Sequence, residues 1–308
     1  MKFAMMGSGG VGGVFGARLA EAGEDVTFIA RGAHLQAIKE KGLRVSGGCP
    51  TDMLIHPATA TSDPADVGPV DYIFVSVKLW DTEDTARLLK PMIGTNTAVI
   101  SFQNGVTKDA ILGKYCDKQH IVGGVSYVAA NIAEPGVIAQ RGARQKLVFG
   151  EYSGTQSPRL LKLAQSCERA HIEAVVSDDI ERDLWEKFIV LIAMSAVTAA
   201  TRLTIGPARS NPYSRELLLD AMGEAAAIAT ARGIAVPENI VEKQIGYLDR
   251  LMPDVSSSMH HSIEQGDRLE LPWLSGAVVD MGKEHNIPTP TNKVLLGVLM
   301  PHVMGRKS

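Results

Sequence analysis

The sequence predicts an α/β fold, a doubly wound parallel sheet followed by an all-helical region. Three observations predict it. Short β-type runs alternate with helical runs through the first half of the chain, which is the pattern of a parallel sheet with helices on both faces. A glycine-rich turn joins the first strand to the first helix. From Ile180 onward almost every segment has helical periodicity.

The elements follow in order. Lys2–Met6 reads as strand and Val11–Ala22 as helix, with apolar residues at helical spacing. Asp25–Ile29 is a second strand and Ala33–Lys41 a second helix. Tyr72–Val77 is rich in β-branched and aromatic residues and reads as strand. Thr82–Lys90 is a helix closed by Pro91, Ala98–Phe102 a strand, and Asn104-Gly105 a turn leading into a helix that reaches Leu112. Between Gly42 and Gly68 the pattern weakens, and Gly47-Gly48-Cys49-Pro50 reads as a hairpin tip or loop. Glycines punctuate short apolar runs from Ile121 to Gly150, which suits added strands at one sheet edge. Asp178 followed by Glu181 suggests a capping box opening a long helix. Later stops are expected at Gly206-Pro207, Gly233, Pro237, Pro253 and Pro288. The expected domains are therefore residues 1–178 and 179–308.

The 308 residues carry a net charge of −3, so there is no basic field to hold nucleic acid or an anionic membrane. Three cysteines (Cys49, Cys116 and Cys167) at irregular spacing argue against a disulfide framework and a zinc site, and a reducing, cytoplasmic setting is expected. The apolar start Phe3–Met6 is too short for a signal peptide. The apolar run Phe188–Val197 is about half of a membrane span, so a buried helix is expected.

Gly7-Ser8-Gly9-Gly10-Val11-Gly12 matches G-x-G-x-x-G after a strand and before a helix, the setting of a Rossmann dinucleotide site. Gly7 allows the tight turn, Gly9 leaves room for a pyrophosphate, and Gly12 lets helix and sheet approach. The helix N-terminus offers N–H groups and partial positive charge to phosphates. An NAD enzyme usually has an acid at the end of strand two. Here Arg31 stands there instead, and a guanidinium suits a 2′-phosphate, so NADP(H) is expected as cofactor. A solvent-exposed arginine is the plainer alternative.

Two catalytic candidates stand in the second half. Lys187 lies at the entrance to the apolar helix, where partial desolvation lowers a lysine pKa toward the range of a general acid. Taken alone, the plainer reading is favoured, in which it snorkels or pairs with Glu186 or Asp183. Glu270 precedes Pro272, a good first residue of a helix, and alone it reads as a surface cap. His260-His261 lack a third ligand at metal spacing. Trp273 suits a pocket wall or the core equally. Ser256-Ser257-Ser258 could simply cap a helix.

Together these segments resemble the ketopantoate reductase (2-dehydropantoate 2-reductase) family. The resemblance covers nearly the whole chain. It rests on Gly7–Gly13, Arg31-Gly32, Val77-Lys78, Gln103-Asn104-Gly105-Val106, Trp185-Glu186-Lys187, Ser257-Ser258-Met259, Arg268-Leu269-Glu270 and Ile287-Pro288-Thr289-Pro290. It implies an NADPH-dependent reduction of a 2-oxo acid in pantothenate synthesis. It also implies a helical second domain similar to that of 6-phosphogluconate dehydrogenase, a site in the cleft between domains, and a homodimer. Lys187 would protonate the substrate oxygen, Glu270 would bind substrate and hold the geometry, and Ser258 would take its carboxylate. Lys78 and Asn104 would lie by nicotinamide and substrate, and Arg31 would read the 2′-phosphate. The sequence departs from the family pattern in places. Asparagines often follow the lysine one and two turns on, where this chain has Leu191 and Ser195. The aspartate common after Ser-Met is Ser262, and a common Asn-Gly is Ser275-Gly276. Another bulky 2-oxo acid is therefore an alternative substrate, and a non-catalytic NADP(H) sensor an alternative of another class.

Overall fold

The computed structural model describes residues 1–47 and 52–306. Its chain forms two compact units, one of residues 1–104 and 108–183, the other of residues 105–107 and 184–308.

The first unit is built on strands β1 (Lys2–Met6), β2 (Asp25–Ile29), β3 (Leu43–Ser46), β4 (Met53–Ile55), β5 (Thr59–Thr61), β6 (Val70–Val75), β7 (Ile93–Ser101), β8 (Ile121–Glu134), β9 (Val137–Gly150) and β10 (Glu173–Val176). Helices α1 (Gly10–Glu21), α2 (Gly32–Lys41), α3 (Thr82–Arg87), α4 (Lys108–Leu112) and α5 (Pro158–Arg169) connect them. Among the described residues the strand order is β4-β3-β9-β8-β7-β6-β1-β2-β5, with β10 also on β9. The β8-β7-β6-β1-β2-β5 portion is parallel throughout, whereas β8/β9 and β3/β4 are antiparallel.

Burial of both sheet faces explains the near-continuous apolar strands. In β1, Phe3 and Met5 join one core with Phe28, Phe74 and Phe102. Ala4 and Met6 point the other way, into a second core with Ile29, Ile73, Val75 and Val99. The first core is aromatic at its centre, where Phe74 meets Phe102 edge-on at a centroid distance of 4.7 Å.

Two expectations for this unit are corrected. The strands between 121 and 150 do not lie at a sheet edge. They form one long antiparallel hairpin, and β9 is flanked by β3 along its first half and by β10 along its second. The helix read as Thr82–Lys90 ends at Arg87, and a separate 3-10 turn follows at Lys90–Met92. The antiparallel pairing of β3 with β4 suits a hairpin, while residues 48–51, including Cys49, lie outside the described residues.

The second unit is helical: α6 (Ile180–Thr201, beginning just inside the first unit), α7 (Ile205–Ser210), α8 (Pro212–Ala231), α9 (Ile240–Arg250), α10 (Ser258–Gln265), α11 (Ser275–His285) and α12 (Pro290–Leu299). By length and composition α6 could cross a bilayer, but 72% of its apolar window is buried inside the protein, so it is a core helix. It is capped by Asp179 rather than Asp178. The Asp179 carboxylate accepts from the Arg182 amide (3.1 Å), while Asp178 turns outward to pair with the Arg182 guanidinium (2.9 Å). The helix stops at Arg202, which has φ +58°, and not at Gly206-Pro207, which lie inside α7. Alanines let α8 pack closely, with Ala221, Ala225 and Ala229 buried among Phe188, Ile192 and Val278. Glu224 of α8 clamps the start of α12, accepting from the amides of Thr291 (2.7 Å) and Asn292 (2.9 Å) and from the Asn292 side chain (2.7 Å).

Candidate functional site

In the first unit, four neighbouring parallel strands, β7-β6-β1-β2, end at one edge of the sheet. The loops leaving that edge carry Asn104, Lys78, Gly7–Gly9 and Arg31. Ligands of open α/β sheets bind outside such carboxyl ends.

The glycine turn is held by the backbone. The Ile29 carbonyl accepts from the amides of Gly7 (3.3 Å) and Ser8 (3.2 Å) and from the Ser8 hydroxyl (3.1 Å). Gly7 has φ +96°, a conformation that favours glycine. A side chain at Gly12 would collide with the Gly7 carbonyl oxygen and the Ser76 hydroxyl, so Gly12 is what lets α1 approach the ends of β1 and β6. Gly10 meets the Ala130 carbonyl in the same way. Gly9 is different, because a Cβ there would find nothing within 4 Å. This open space lies at the N-cap of α1, whose first turn carries no acidic residue. The amides and dipole of that helix end thus suit the phosphates of a dinucleotide. Gly7, Ser8, Gly9, Gly10, Val11 and Gly12 would form the cradle.

Arg31 is exposed immediately beyond β2, at the N-cap of α2. Lys78 is exposed beyond β6, its ammonium 5.9 Å from the Trp80 ring centre. Asn104 is half-buried beyond β7 and is followed by Gly105 at φ +85°, the turn its sequence predicts.

In the sequence Gln103 stands out only as part of Gln103-Asn104-Gly105-Val106. Its side-chain amide donates to the Val77 carbonyl (2.9 Å) and the Thr82 hydroxyl (2.8 Å), and its oxygen accepts from Ser101 (2.9 Å). It therefore ties the loop of Asn104 to the loop of Lys78. Lys108, fully buried, reaches from α4 to the carbonyls of Ser101 (2.5 Å) and Gly124 (3.0 Å). Burial pushes its ammonium pKa down. Neither contact has a spacing signal, since each joins segments brought together only by folding.

In the second unit, Lys187 is half-buried on α6. The neighbouring Glu186 is engaged by Lys243 (2.8 Å), and its carbonyl accepts from Gln244 (2.9 Å). Leu191 and Ser195 follow Lys187 at one-turn intervals. The Ser195 hydroxyl is buried and has no hydrogen-bond partner among the described residues, and the same holds for Ser275. Ser257 is the cap of α10, accepting from the His260 amide (3.0 Å) and bonded to Thr198 (2.8 Å). Ser258, the next residue, is thereby left exposed at the first position of that helix. Glu270 stands before a 3-10 turn, Leu271–Trp273, and not before a regular helix; its side chain caps nothing there, and α11 begins only at Ser275. Trp273 is half-buried. His260 is buried beside Ser256 and Glu264. Among the described residues no three His, Cys, Asp or Glu side chains form a group that could hold a metal ion.

A family model for ketopantoate reductase PanE/ApbA matches residues 3–154, and the model of that family's C-terminal domain matches residues 179–302. The chain belongs to the ketopantoate reductase PanE/ApbA family. It is thus an oxidoreductase of that family with a Rossmann-like first unit. The 2-dehydropantoate 2-reductase of Archaeoglobus fulgidus, a relative, is 33% identical over 295 residues, spanning 96% of this chain and 95% of its own. The crystal structure of a PanE/ApbA family ketopantoate reductase from Ralstonia eutropha JMP134 matches with a TM-score of 0.90 at 32% identity, covering 98% of both chains. D-mandelate dehydrogenase, solved with NADH and anilino(oxo)acetate, matches with a TM-score of 0.89 at 21% identity over 98% of both chains, a likeness of fold.

Proposed function

We propose that this protein reduces 2-dehydropantoate (ketopantoate) to pantoate with NADPH, within pantothenate synthesis. The observation that carries the reading is the match at 33% identity, over nearly its full length, to a 2-dehydropantoate 2-reductase. The open cradle at Gly9 and the arginine beyond β2 support the choice of cofactor.

When bound, NADPH supplies a hydride from its nicotinamide to the ketone carbon. Negative charge then grows on the ketone oxygen, and Lys187 Nζ donates a hydrogen bond and finally a proton to it. Such a donor is worth about 3 kcal/mol of barrier, roughly a hundredfold in rate. Glu270 binds substrate and holds this geometry. Ser258 takes the substrate carboxylate, favoured by the partial positive charge at the start of α10. Asn104 and Lys78 position nicotinamide and substrate, and Arg31 pairs with the 2′-phosphate.

A second reading keeps the chemistry and changes the substrate to another bulky 2-oxo acid. The unpartnered hydroxyls of Ser195 and Ser275 favour it, because both stand where the family pattern often has asparagine. One experiment tests both readings: nicotinamide oxidation with ketopantoate, 2-oxoisovalerate and pyruvate, each with NADPH and NADH. A clear preference in kcat/KM for NADPH and ketopantoate supports the first reading. Preference for another 2-oxo acid rejects it in favour of the second, and no turnover on ketopantoate rejects the first.

A further inference from the structure

The His34 ring lies between two segments of the first unit. Its Nε2 is 2.8 Å from the Ser8 carbonyl oxygen, and its Nδ1 is 3.0 Å from the Gly136 amide nitrogen. A carbonyl can only accept and an amide N–H can only donate. The two bonds together therefore assign one neutral tautomer, with the proton on Nε2. The turn that supplies Gly136 is itself fixed. Gly136 has φ +81°, its carbonyl accepts from the Arg44 amide (2.9 Å), and a side chain there would run into Ala37 of α2. His34 thus braces the glycine turn against the β8–β9 hairpin.

The consequence falls on the Ser8–Gly9 peptide. In a trans peptide the C=O and the N–H point in opposite directions. Holding the Ser8 oxygen toward His34 directs the Gly9 N–H away from the ring. We propose that His34 is a positioning residue of the cofactor site, orienting the Gly9 amide for a dinucleotide phosphate. The inference rests on the dinucleotide reading given above.

The test measures the Kd for NADPH, kcat at saturating NADPH and the melting temperature without ligand, for wild type, His34→Ala, His34→Asn and His34→Gln. Loss of two half-buried hydrogen bonds predicts about tenfold weaker NADPH binding in His34→Ala, with kcat changed less than about threefold. Glutamine offers both a donor and an acceptor at the needed reach, so His34→Gln should stay within about threefold of wild type. Asparagine has the same groups on a shorter stem and should behave like alanine. A merely structural role would make affinity follow melting temperature, without separate rescue by glutamine. Wild-type affinity in His34→Ala, or equal losses in the alanine and glutamine variants, overturns the inference alone. Failure of the wild type to bind either NADPH or NADH overturns it together with the proposed function.

Discussion

Gly9→Ala and Gly12→Ala should separate binding from folding. At Gly9 the backbone has φ −78° and ψ −153°, which alanine adopts without strain, and nothing lies within 4 Å of the added methyl. Restricting the unfolded chain contributes about 0.4–1 kcal/mol of stability. Alanine is a poorer N-cap than glycine by a similar amount, about 0.5–1 kcal/mol. The two offset, so ligand-free Gly9→Ala should unfold within about 1 kcal/mol of wild type. The methyl occupies the space assigned to the pyrophosphate, so NADPH affinity should fall at least about tenfold, or 1.4 kcal/mol. At Gly12 the methyl gains about 1 kcal/mol of helix propensity. It also strikes the backbone carbonyl of Gly7, which cannot turn aside without moving the whole glycine turn. Overpacking of this kind costs about 1–3 kcal/mol, so Gly12→Ala should lose both stability and binding. Denaturant titration and NADPH titration of each variant measure the two effects. Unchanged NADPH affinity in Gly9→Ala, or a large loss of its ligand-free stability, would refute the reasoning.

Other perturbations have equally direct readouts. Burial pushes the Glu24 carboxyl upward, but hydrogen bonds from the Met1 ammonium, Ser166 (2.7 Å) and Arg169 outweigh it and hold the pKa below the usual 4.5. A lowered native pKa means that this stability is full above pH 4.5 and is lost as pH falls through the native value, so Glu24→Gln should flatten the acid side of a stability–pH profile. Truncating Glu224 to alanine leaves two amides at the start of α12 without their acceptor and the Asn292 side chain with only the Ala221 carbonyl (3.2 Å), and should cost about 2–3 kcal/mol by denaturant titration. Burial raises the thiols of Cys116 to about 11 and Cys167 to about 12. Near pH 8 a thiol reagent should therefore label both slowly in folded protein and quickly after denaturation.

Much of the first unit was legible because its signals are local. Buried strands such as Phe3–Met6 are apolar throughout, and Gly7 and Gly12 are dictated by steric contacts within a few residues or with the chain just beyond the adjacent strand β6. The β8–β9 hairpin was harder to place. Its pairing joins residues up to 27 positions apart, Gly123 with Gly150, and the glycines along it imitate loop punctuation. Asp178 and Asp179 both fit a cap by composition, and only the backbone geometry selects Asp179. In the candidate site, Gly9 and Arg31 could be proposed from a motif and its offset. The contacts of Gln103, Lys108 and His34 could not, since their partners at Val77, Gly124 and Gly136 are remote in sequence.

The most direct test of the account is Lys187→Ala, measured for both NADPH affinity and ketopantoate turnover. Loss of the proposed proton donor should lower kcat about a hundredfold or more while NADPH binding stays at the wild-type level. Turnover equal to wild type would contradict the assignment of Lys187 as the acid.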